Sequence, residues 1–238
     1  MKVYESHEIK NIALLGSKGS GKTTLAEAML YECGIIKRRG TVEANNTVSD
    51  YFPVEKEYGY SVFSTVFYAE FLNKKLNVID CPGSDDFVGS AITALNVTDT
   101  GVIVVDSQYG VEVGTQNIFR TAEKLNKPIV FAMNQLDGEK ADFDNVMEQM
   151  RESFGSRVVQ VQYPVSSGPS FNAMIDVLLM KMYSWGPDGG VPTISEIPEN
   201  EKEKALELNK ILIEAAAEND ETLMEKFFDQ GSLTEDEM

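Results

Sequence analysis

A glycine-rich stretch of nine residues, 16–24, restricts the possible folds of this chain more than any other feature. It reads Gly-Ser-Lys-Gly-Ser-Gly-Lys-Thr-Thr, and it lies between an apolar run at 12–15 and a helical pattern that begins at 25. Glycines permit backbone angles that direct several N–H groups towards one anion, and the start of a helix adds a favourable dipole. The stretch therefore predicts a phosphate-binding loop that joins a buried strand to a helix.

Each residue of this loop has an expected role. Lys22 supplies a positive charge to a phosphate, and Thr23 offers its hydroxyl to Mg²⁺. The other predicted contacts come from Gly16, Ser17, Lys18, Gly19, Ser20, Gly21 and Thr24. The alternative is a glycine-rich turn without a ligand, and the strand and helix on either side favour the nucleotide site over it. The loop leaves open which nucleotide is bound and whether it is hydrolysed.

The length of 238 residues is enough for a full core in one or two domains. No apolar run is long enough to cross a membrane, and the first residues lack the apolar core of a signal peptide. We therefore expect a cytoplasmic protein that makes no membrane contact. Cys33 and Cys81 do not have the spacing of a ligand pair, so we predict neither a disulfide framework nor a zinc site.

The net charge of −17 argues against a broad basic surface that grips nucleic acid. The excess is uneven: residues 186–238 hold fifteen Asp and Glu against four Lys, so their balance is 4 − 15 = −11. This acidic part is either a solvated surface or a docking face for a basic partner. A basic cluster at 37–39 is more consistent with a solvated turn than with a phosphate contact.

Strand and helix patterns alternate along the first two thirds of the chain, which predicts an α/β fold with a doubly wound, mostly parallel sheet. We expect strands at 9–16, 61–71, 76–80, 101–106 and 128–133, and helices at 24–33, 87–97, 115–125 and 141–154. Further on we expect strands at 157–162 and within 174–185, a linker at 186–198, and two helices. The inner face of the first helix is marked by Leu208, Ile211, Leu212, Ala215 and Ala216. The second helix is capped by Asp220, and its inward residues are Leu223, Met224, Phe227 and Phe228.

Two polar segments follow predicted strands. Asp80 ends one strand, where a carboxylate holds Mg²⁺ through its water shell, and the N–H of Gly83 can meet a γ-phosphate. After the predicted strand at 128–133, Asp137 can accept hydrogen bonds from the N1–H and N2–H groups of guanine, which adenine does not offer. Asn134 can brace the loop. The alternative for Asp137 is a surface turn. Its position after the phosphate loop and Asp80 favours guanine recognition.

These segments in this order resemble the N-terminal nucleotide-binding domain of elongation factor G and related translational GTPases. The resemblance is carried by Ile9–Ile12, Gly21–Thr24, Asp80–Gly83, Asn134, Ile175–Leu178, Leu212–Ala215 and Leu223–Lys226. It implies a P-loop GTPase domain at 1–156 that binds GTP or GDP with Mg²⁺. It also implies a small, acidic α+β insert at 157–238, which meets the ribosomal stalk protein in that family, and a monomer that acts on the ribosome in translation elongation.

This chain departs from the family pattern beside the expected γ-phosphate. Ser84 stands where the family has a histidine that orients the attacking water. Tyr60 replaces an apolar residue flanking that histidine, while Ser61 keeps the hydroxyl that would reach Mg²⁺. Lys18 and Gly19 replace an apolar residue and an aspartate, so the aspartate's role in holding a monovalent cation should be lost.

Gln135 is a further departure, because it replaces a lysine whose stem packs on the base; affinity should fall while Asp137 preserves the choice of guanine. The one histidine, His7, precedes the first strand and should lie far from the γ-phosphate. The chain also ends before a serine-alanine loop and a further strand of the family, so we expect a fragment in which strand 129–133 has an open edge.

We therefore predict a GTP-binding domain whose hydrolysis is strongly reduced, with no intact catalytic residue. Two alternatives remain open. One is an active GTPase, either a translocase or a ribosomal-protection relative, in which Ser84 and Tyr60 support another placement of water. The other is a small-molecule kinase, which would prefer ATP and would not need Asp80 and Asp137 at these positions.

Overall fold

A computed structural model describes residues 3–187, 189–218, 222, 223, 225 and 226 of the chain. The chain divides into two compact units, Met1–Gln135 and Leu136–Met238. This division lies earlier in the chain than the boundary after 156 that the family resemblance implies, and that boundary stays a prediction. The expected second helix from Asp220 on falls largely outside the described residues, at 219–221, 224 and 227–238.

The first unit contains a five-stranded sheet in the order β2-β3-β1-β4-β5. Strand β1 pairs in parallel with β3 and β4, and β4 with β5, whereas β2 and β3 form an antiparallel hairpin. The mostly parallel sheet is thereby confirmed. The strands are β1 (Ile9–Leu15), β2 (Thr65–Phe71), β3 (Lys74–Asp80), β4 (Thr100–Asp106) and β5 (Ile129–Asn134), and the helices are α1 (Lys22–Glu32), α2 (Pro53–Tyr58), α3 (Val88–Val97) and α4 (Val113–Lys124).

Helices cover both faces of this sheet, as the doubly wound pattern requires. Helix α1 packs through Ala26 and Leu30 on the face that carries Leu14 and Val78. Helix α3 packs on the other face. Its Leu95 Cδ2 lies 3.1 Å from the position that a Cβ atom would occupy at Gly101 on β4. The carboxyl ends of β1, β3, β4 and β5 therefore share one edge, where a doubly wound sheet binds its ligand.

The second unit has a four-stranded antiparallel sheet in the order β6-β7-β8-β9. Tyr163 on β6 and Ile175 on β7 are fully buried. Helix α6 is joined to this sheet by the Asn209 amide, whose Nδ2 donates to Val177 O at 2.8 Å. The elements of this unit are α5 (Phe143–Phe154), β6 (Gln162–Pro164), β7 (Ala173–Asp176), β8 (Lys181–Gly186), β9 (Gly189–Ser195) and α6 (Glu199–Ala217).

Several expectations for the second unit are wrong. Residues 157–161 are irregular, because pairing with β7 begins only at Gln162. The expected linker at 186–198 contains strand β9, whereas 174–185 forms strands as expected, with a turn between β7 and β8. On α6 the fully buried positions are Ala205, Ile213 and Ala217, whereas Ile211 is exposed, so the inner face is rotated from the predicted one.

Candidate nucleotide-binding site

The phosphate loop follows β1, and α1 begins at Lys22, two residues earlier than the sequence predicted. Gly21 has a φ of 93°, and a Cβ there would lie 2.2 Å from Nδ2 of Asn134. The backbone angle favours glycine at this position, and a side chain there would displace the Asn134 amide. The Asn134 amide donates to Ser20 O at 2.9 Å, so the end of β5 braces the loop.

Lys22 is a buried cation inside the loop, with 6% of its surface exposed. Its Nζ donates to Gly16 O at 3.0 Å and to Ser17 O at 2.9 Å. Burial lowers the pKa of Lys22, and the negative charge of Asp80 partly offsets this effect. An ammonium group held in this way supplies a fixed positive charge to a bound anion at little reorganisation cost.

The three residues predicted to hold Mg²⁺ lie together. Thr23 Oγ1 donates to Asp80 Oδ2 at 3.0 Å and lies 3.3 Å from Ser61 Oγ. Asp80 is 1% exposed, and its other oxygen, Oδ1, has no hydrogen-bond partner. Burial raises the pKa of Asp80 to about 6, against the lowering effect of the Ser49 and Thr23 hydroxyls.

Asp50 and Ser49 join this cluster, and sequence reasoning missed both. Both carboxylate oxygens of Asp50 are buried and have no hydrogen-bond partner, and the buried Ser49 hydroxyl lies near enough to Asp80 to lower the pKa of that carboxyl. Burial raises the pKa of Asp50, while the nearby Ser61 hydroxyl lowers it. Asp50 lies in the weakly periodic stretch between α1 and β2, so its burial has no signal in the sequence.

The donor set at this cluster fits Mg²⁺, which prefers carboxylate and hydroxyl oxygens. The buried oxygens of Asp50 and Asp80 without partners are the groups that an ion would satisfy. In the part of the chain that the structure describes, no three His, Cys, Asp or Glu side chains group as metal ligands.

The segment after β3 lies against the phosphate loop. A Cβ on Gly83 would lie 2.4 Å from Lys22 Nζ and 2.7 Å from the backbone N of Lys18, so only glycine fits there. Ser84, which the family resemblance places at the position of a histidine, borders a cavity of about 240 Å³ that is also lined by Ser17 and Asp85. Asp85 was not identified from the sequence.

Lys18 and Tyr60, two of the departures from the family pattern, contact each other. Lys18 Nζ lies 3.6 Å from the centre of the Tyr60 ring. Gly19 has a φ of 85° and is exposed. His7 lies in a short 3-10 helix before β1, whose other end leads into the phosphate loop.

The predicted base-recognition residues are divided between the two units. Gln135 in the first unit has a φ of 59°, and its Nε2 donates to Gly19 O at 2.8 Å. Its own carbonyl accepts from the Ser107 hydroxyl at 2.7 Å. Asp137 falls in the second unit, where it is exposed in a turn before α5.

Comparison with known proteins decides the family. The model of the elongation factor Tu GTP binding domain matches residues 7–230. The chain belongs to this family. The GTP-binding domain is 33% identical over 230 residues to an elongation factor G-like protein of Thermotoga maritima, with 97% of this chain and 32% of that protein covered. It is also 33% identical to elongation factor G of Thermotoga petrophila over 232 residues, covering 97% of this chain and 33% of that protein.

A solved structure of a protein from Thermus thermophilus superposes on this GTP-binding domain with a TM-score of 0.86 and 34% sequence identity. The match covers 93% of this chain and 33% of that chain. The resemblance to elongation factor G and the P-loop GTPase fold are thus confirmed, and the domain spans about a third of the length of these relatives. Among the described residues, no helix has the length and apolar character needed to span a membrane.

Proposed function

We propose that this domain binds GTP and GDP together with Mg²⁺, and that it hydrolyses GTP only slowly. The observation that carries the proposal is the convergence of the phosphate loop with Thr23, Ser61 and Asp80. The buried ammonium of Lys22 and the loop N–H groups bind phosphate, while the two hydroxyls and Asp80 hold the ion. Asp50 adds a second carboxylate next to them.

Guanine recognition in this proposal belongs to Asp137, whose carboxylate accepts from two base N–H groups. Asn134 braces the phosphate loop, and the Gln135 side chain replaces a lysine that packs on the base. We assign residues 1–156 to the GTP-binding domain and 157–238 to the inserted acidic subdomain. Because its relatives are named elongation factor G, we propose that the domain acts on the ribosome in the cytoplasm during translation elongation, as a monomer.

The acidic insert is proposed to contact the ribosomal stalk protein. Much of the negative charge of the chain lies in residues 186–238, whose balance is −11. Helix α6 belongs to this part, and Glu199 and Glu201 fall in its first turn. A basic segment of a partner would be attracted to such a surface. No broad basic surface for sequence-specific nucleic-acid contact is expected from a net charge of −17.

Slow hydrolysis is proposed because Ser84 cannot supply an imidazolium near the transition-state charge. Removal of one preorganised stabilising group typically costs about 10²- to 10³-fold in rate. Lys18 and Tyr60 also differ from the family beside the same position. A specific observation favours the alternative of an active GTPase: the Asp85 carboxylate borders the same cavity as Ser84 and offers a different group for placing water.

Calorimetric titration with GTP, GDP and ATP in the presence of Mg²⁺ tests the binding proposal. We expect both guanine nucleotides to bind and ATP to bind at least about 100-fold more weakly, because adenine lacks the donors that Asp137 accepts. Asp137→Asn should remove the preference, whereas Asp144→Asn, an exposed acid on α5, should leave it unchanged. A preference for ATP would instead support the small-molecule kinase.

Single-turnover GTP hydrolysis with ribosomes separates the slow GTPase from the active one. We expect Ser84→His to raise the rate by about 10- to 100-fold, because an imidazole can then orient water and carry positive charge. Thr93→His, on the exposed side of α3, is the control and should change nothing. If Ser84→His gives no gain while Asp85→Asn lowers an already rapid rate, the active GTPase is the correct assignment.

A further inference from the structure

We propose that Lys18 and Tyr60 form a latch that holds segment 60–63, and with it the Ser61 hydroxyl, on the phosphate loop and so favours GTP over GDP. The inference deepens the proposed function and rests on it for the identity of the nucleotide. Lys18 and Tyr60 would be positioning residues, because they act through Ser61 rather than on the phosphates.

The contact between the two side chains joins elements that are far apart in sequence. Lys18 is exposed at the turn of the phosphate loop, and its Nζ lies 3.6 Å from the centre of the half-buried Tyr60 ring. At this distance the ammonium is attracted by the negative face of the ring, which for an exposed pair shifts an equilibrium by about 2- to 5-fold. The Lys18 backbone N also lies against Gly83, so the latch connects to the segment after β3.

The rest of segment 60–63 is fixed by a second anchor. Glu55 on α2 is 1% exposed, and its Oε1 accepts from Val62 N and Phe63 N, each at 3.0 Å. Ser61 lies between the two anchors, with its Oγ 3.3 Å from Thr23 Oγ1. The latch holds one side of Ser61 and Glu55 holds the other, so the hydroxyl is set at the cluster by contacts within the protein.

This arrangement changes the balance between the nucleotides. In the proposed site, the Ser61 hydroxyl binds the ion together with the γ-phosphate, which GDP lacks. If segment 60–63 is already ordered before GTP binds, the free energy of binding is not reduced by the cost of ordering it. GDP makes no use of the segment, so its affinity gains nothing. The latch is therefore expected to raise GTP affinity alone.

Hydrogen–deuterium exchange on the full nucleotide-free chain tests the latch without reference to any nucleotide. We expect the Val62 and Phe63 amides to exchange about 2- to 5-fold faster in Lys18→Met, in Tyr60→Leu and in the double variant, with no additive effect in the double variant. Tyr60→Phe keeps the ring and should restore the slow exchange. Lys56→Met removes an exposed charge from α2 and is the control. Unchanged exchange in both single variants, or fully additive effects, would overturn the latch.

Affinities for GTP and GDP then test its consequence. Tyr60→Leu should weaken GTP by about 3-fold and leave GDP within about 2-fold, and Lys18→Met should add no further loss in that background. If Lys18→Met weakens both nucleotides equally whatever residue stands at 60, Lys18 acts on the phosphates directly and the latch proposal is wrong. If no guanine nucleotide binds to the unmodified chain, the proposed function fails, and the exchange experiment still decides the latch.

Discussion

Asp80 is a buried carboxylate with one oxygen bonded to Thr23 and the other without a hydrogen-bond partner. Its pKa is raised from 3.8 to about 6, chiefly by burial, so the folded state holds this proton more tightly than the unfolded chain does. The stability that this protonated group contributes to the folded state is therefore lost as the pH rises from about 4 to about 6, where the proton dissociates. At neutral pH the charged group costs about 2–3 kcal/mol.

Asp80→Asn should accordingly stabilise the nucleotide-free protein at pH 7.5, by about 1–3 kcal/mol in urea denaturation, because a neutral amide is less costly to bury. The same variant should lose the stabilisation by Mg²⁺ and GTP that the proposed function predicts for the unmodified protein. Asp86→Asn, an exposed acid in the following segment, is the control and should change neither quantity. A lower stability of Asp80→Asn at pH 7.5 would contradict this account.

The residues of the proposed nucleotide site are only partly visible in the sequence. Lys22, Thr23 and Asp80 follow strand ends, and the parallel sheet brings those ends to one edge, so their meeting was predictable. The position of Asp50 could not be predicted in this way, because Asp50 lies in an irregular segment and not at the end of a strand. That Lys18 meets Tyr60 was also not predictable, since side-chain contacts between two loops leave no periodic pattern.

The segment between α1 and β2 is organised by buried acceptors rather than by regular secondary structure. Glu27 on α1 is 1% exposed; its Oε2 accepts from Gly40 N at 2.7 Å, and its Oε1 accepts from Val48 N. These two hydrogen bonds hold residues 40–48 against α1, just before Asp50 in the chain. A glutamate in a helix is usually expected to face solvent, so this anchor was missed.

Glu27→Gln tests the anchor. The amide keeps one acceptor and loses the other, which leaves a backbone N–H unsatisfied at a cost of about 1–3 kcal/mol. We expect limited proteolysis to cut within 40–48 about 5- to 100-fold faster, in proportion to the increased population of the open segment. Glu32→Gln, exposed on the same helix, should be cut at the unmodified rate. Equal cleavage of both variants would show that Glu27 does not hold the segment.

Among the regular elements, the long periodic ones were predicted and the short ones were not. The strands β1 and β4 contain the buried apolar runs 13–15 and 103–105, and such runs have a strong signal. Strand β5 is an apolar run at the edge of the sheet. Strand β9 contains Gly189, Gly190 and Pro192, and these residues favoured a linker. It lies at the edge of the second sheet, where proline and glycine are tolerated because one side of the backbone needs no partner.

On the scale of the whole molecule, the order of the elements was enough to predict the fold class of the first unit. Alternating strands and helices leave few topologies, and the right-handed crossover rule restricts them further. The second unit has a small antiparallel sheet whose pairing depends on short strands and turns, and its register could not be derived from alternation alone.

The net charge of −17 is also a property of the whole chain, with consequences for its stability. Like charges repel one another most strongly in the compact state, and salt screens this repulsion over a Debye length of about 10 Å at 0.1 M. We therefore expect the melting temperature of the nucleotide-free protein to rise by about 2–4 °C between about 20 mM and about 300 mM NaCl, which corresponds to about 1 kcal/mol.

Differential scanning calorimetry measures this change, and sucrose at the same osmolality as the added salt is the control. Sucrose is uncharged, so it stabilises only by exclusion from the surface and should have a smaller effect at these concentrations. The few ion pairs described, such as Lys202 with Glu199, are exposed and contribute little that salt could remove. A melting temperature that falls with added NaCl would mean that attractive pairs outweigh the repulsion of the acidic surface.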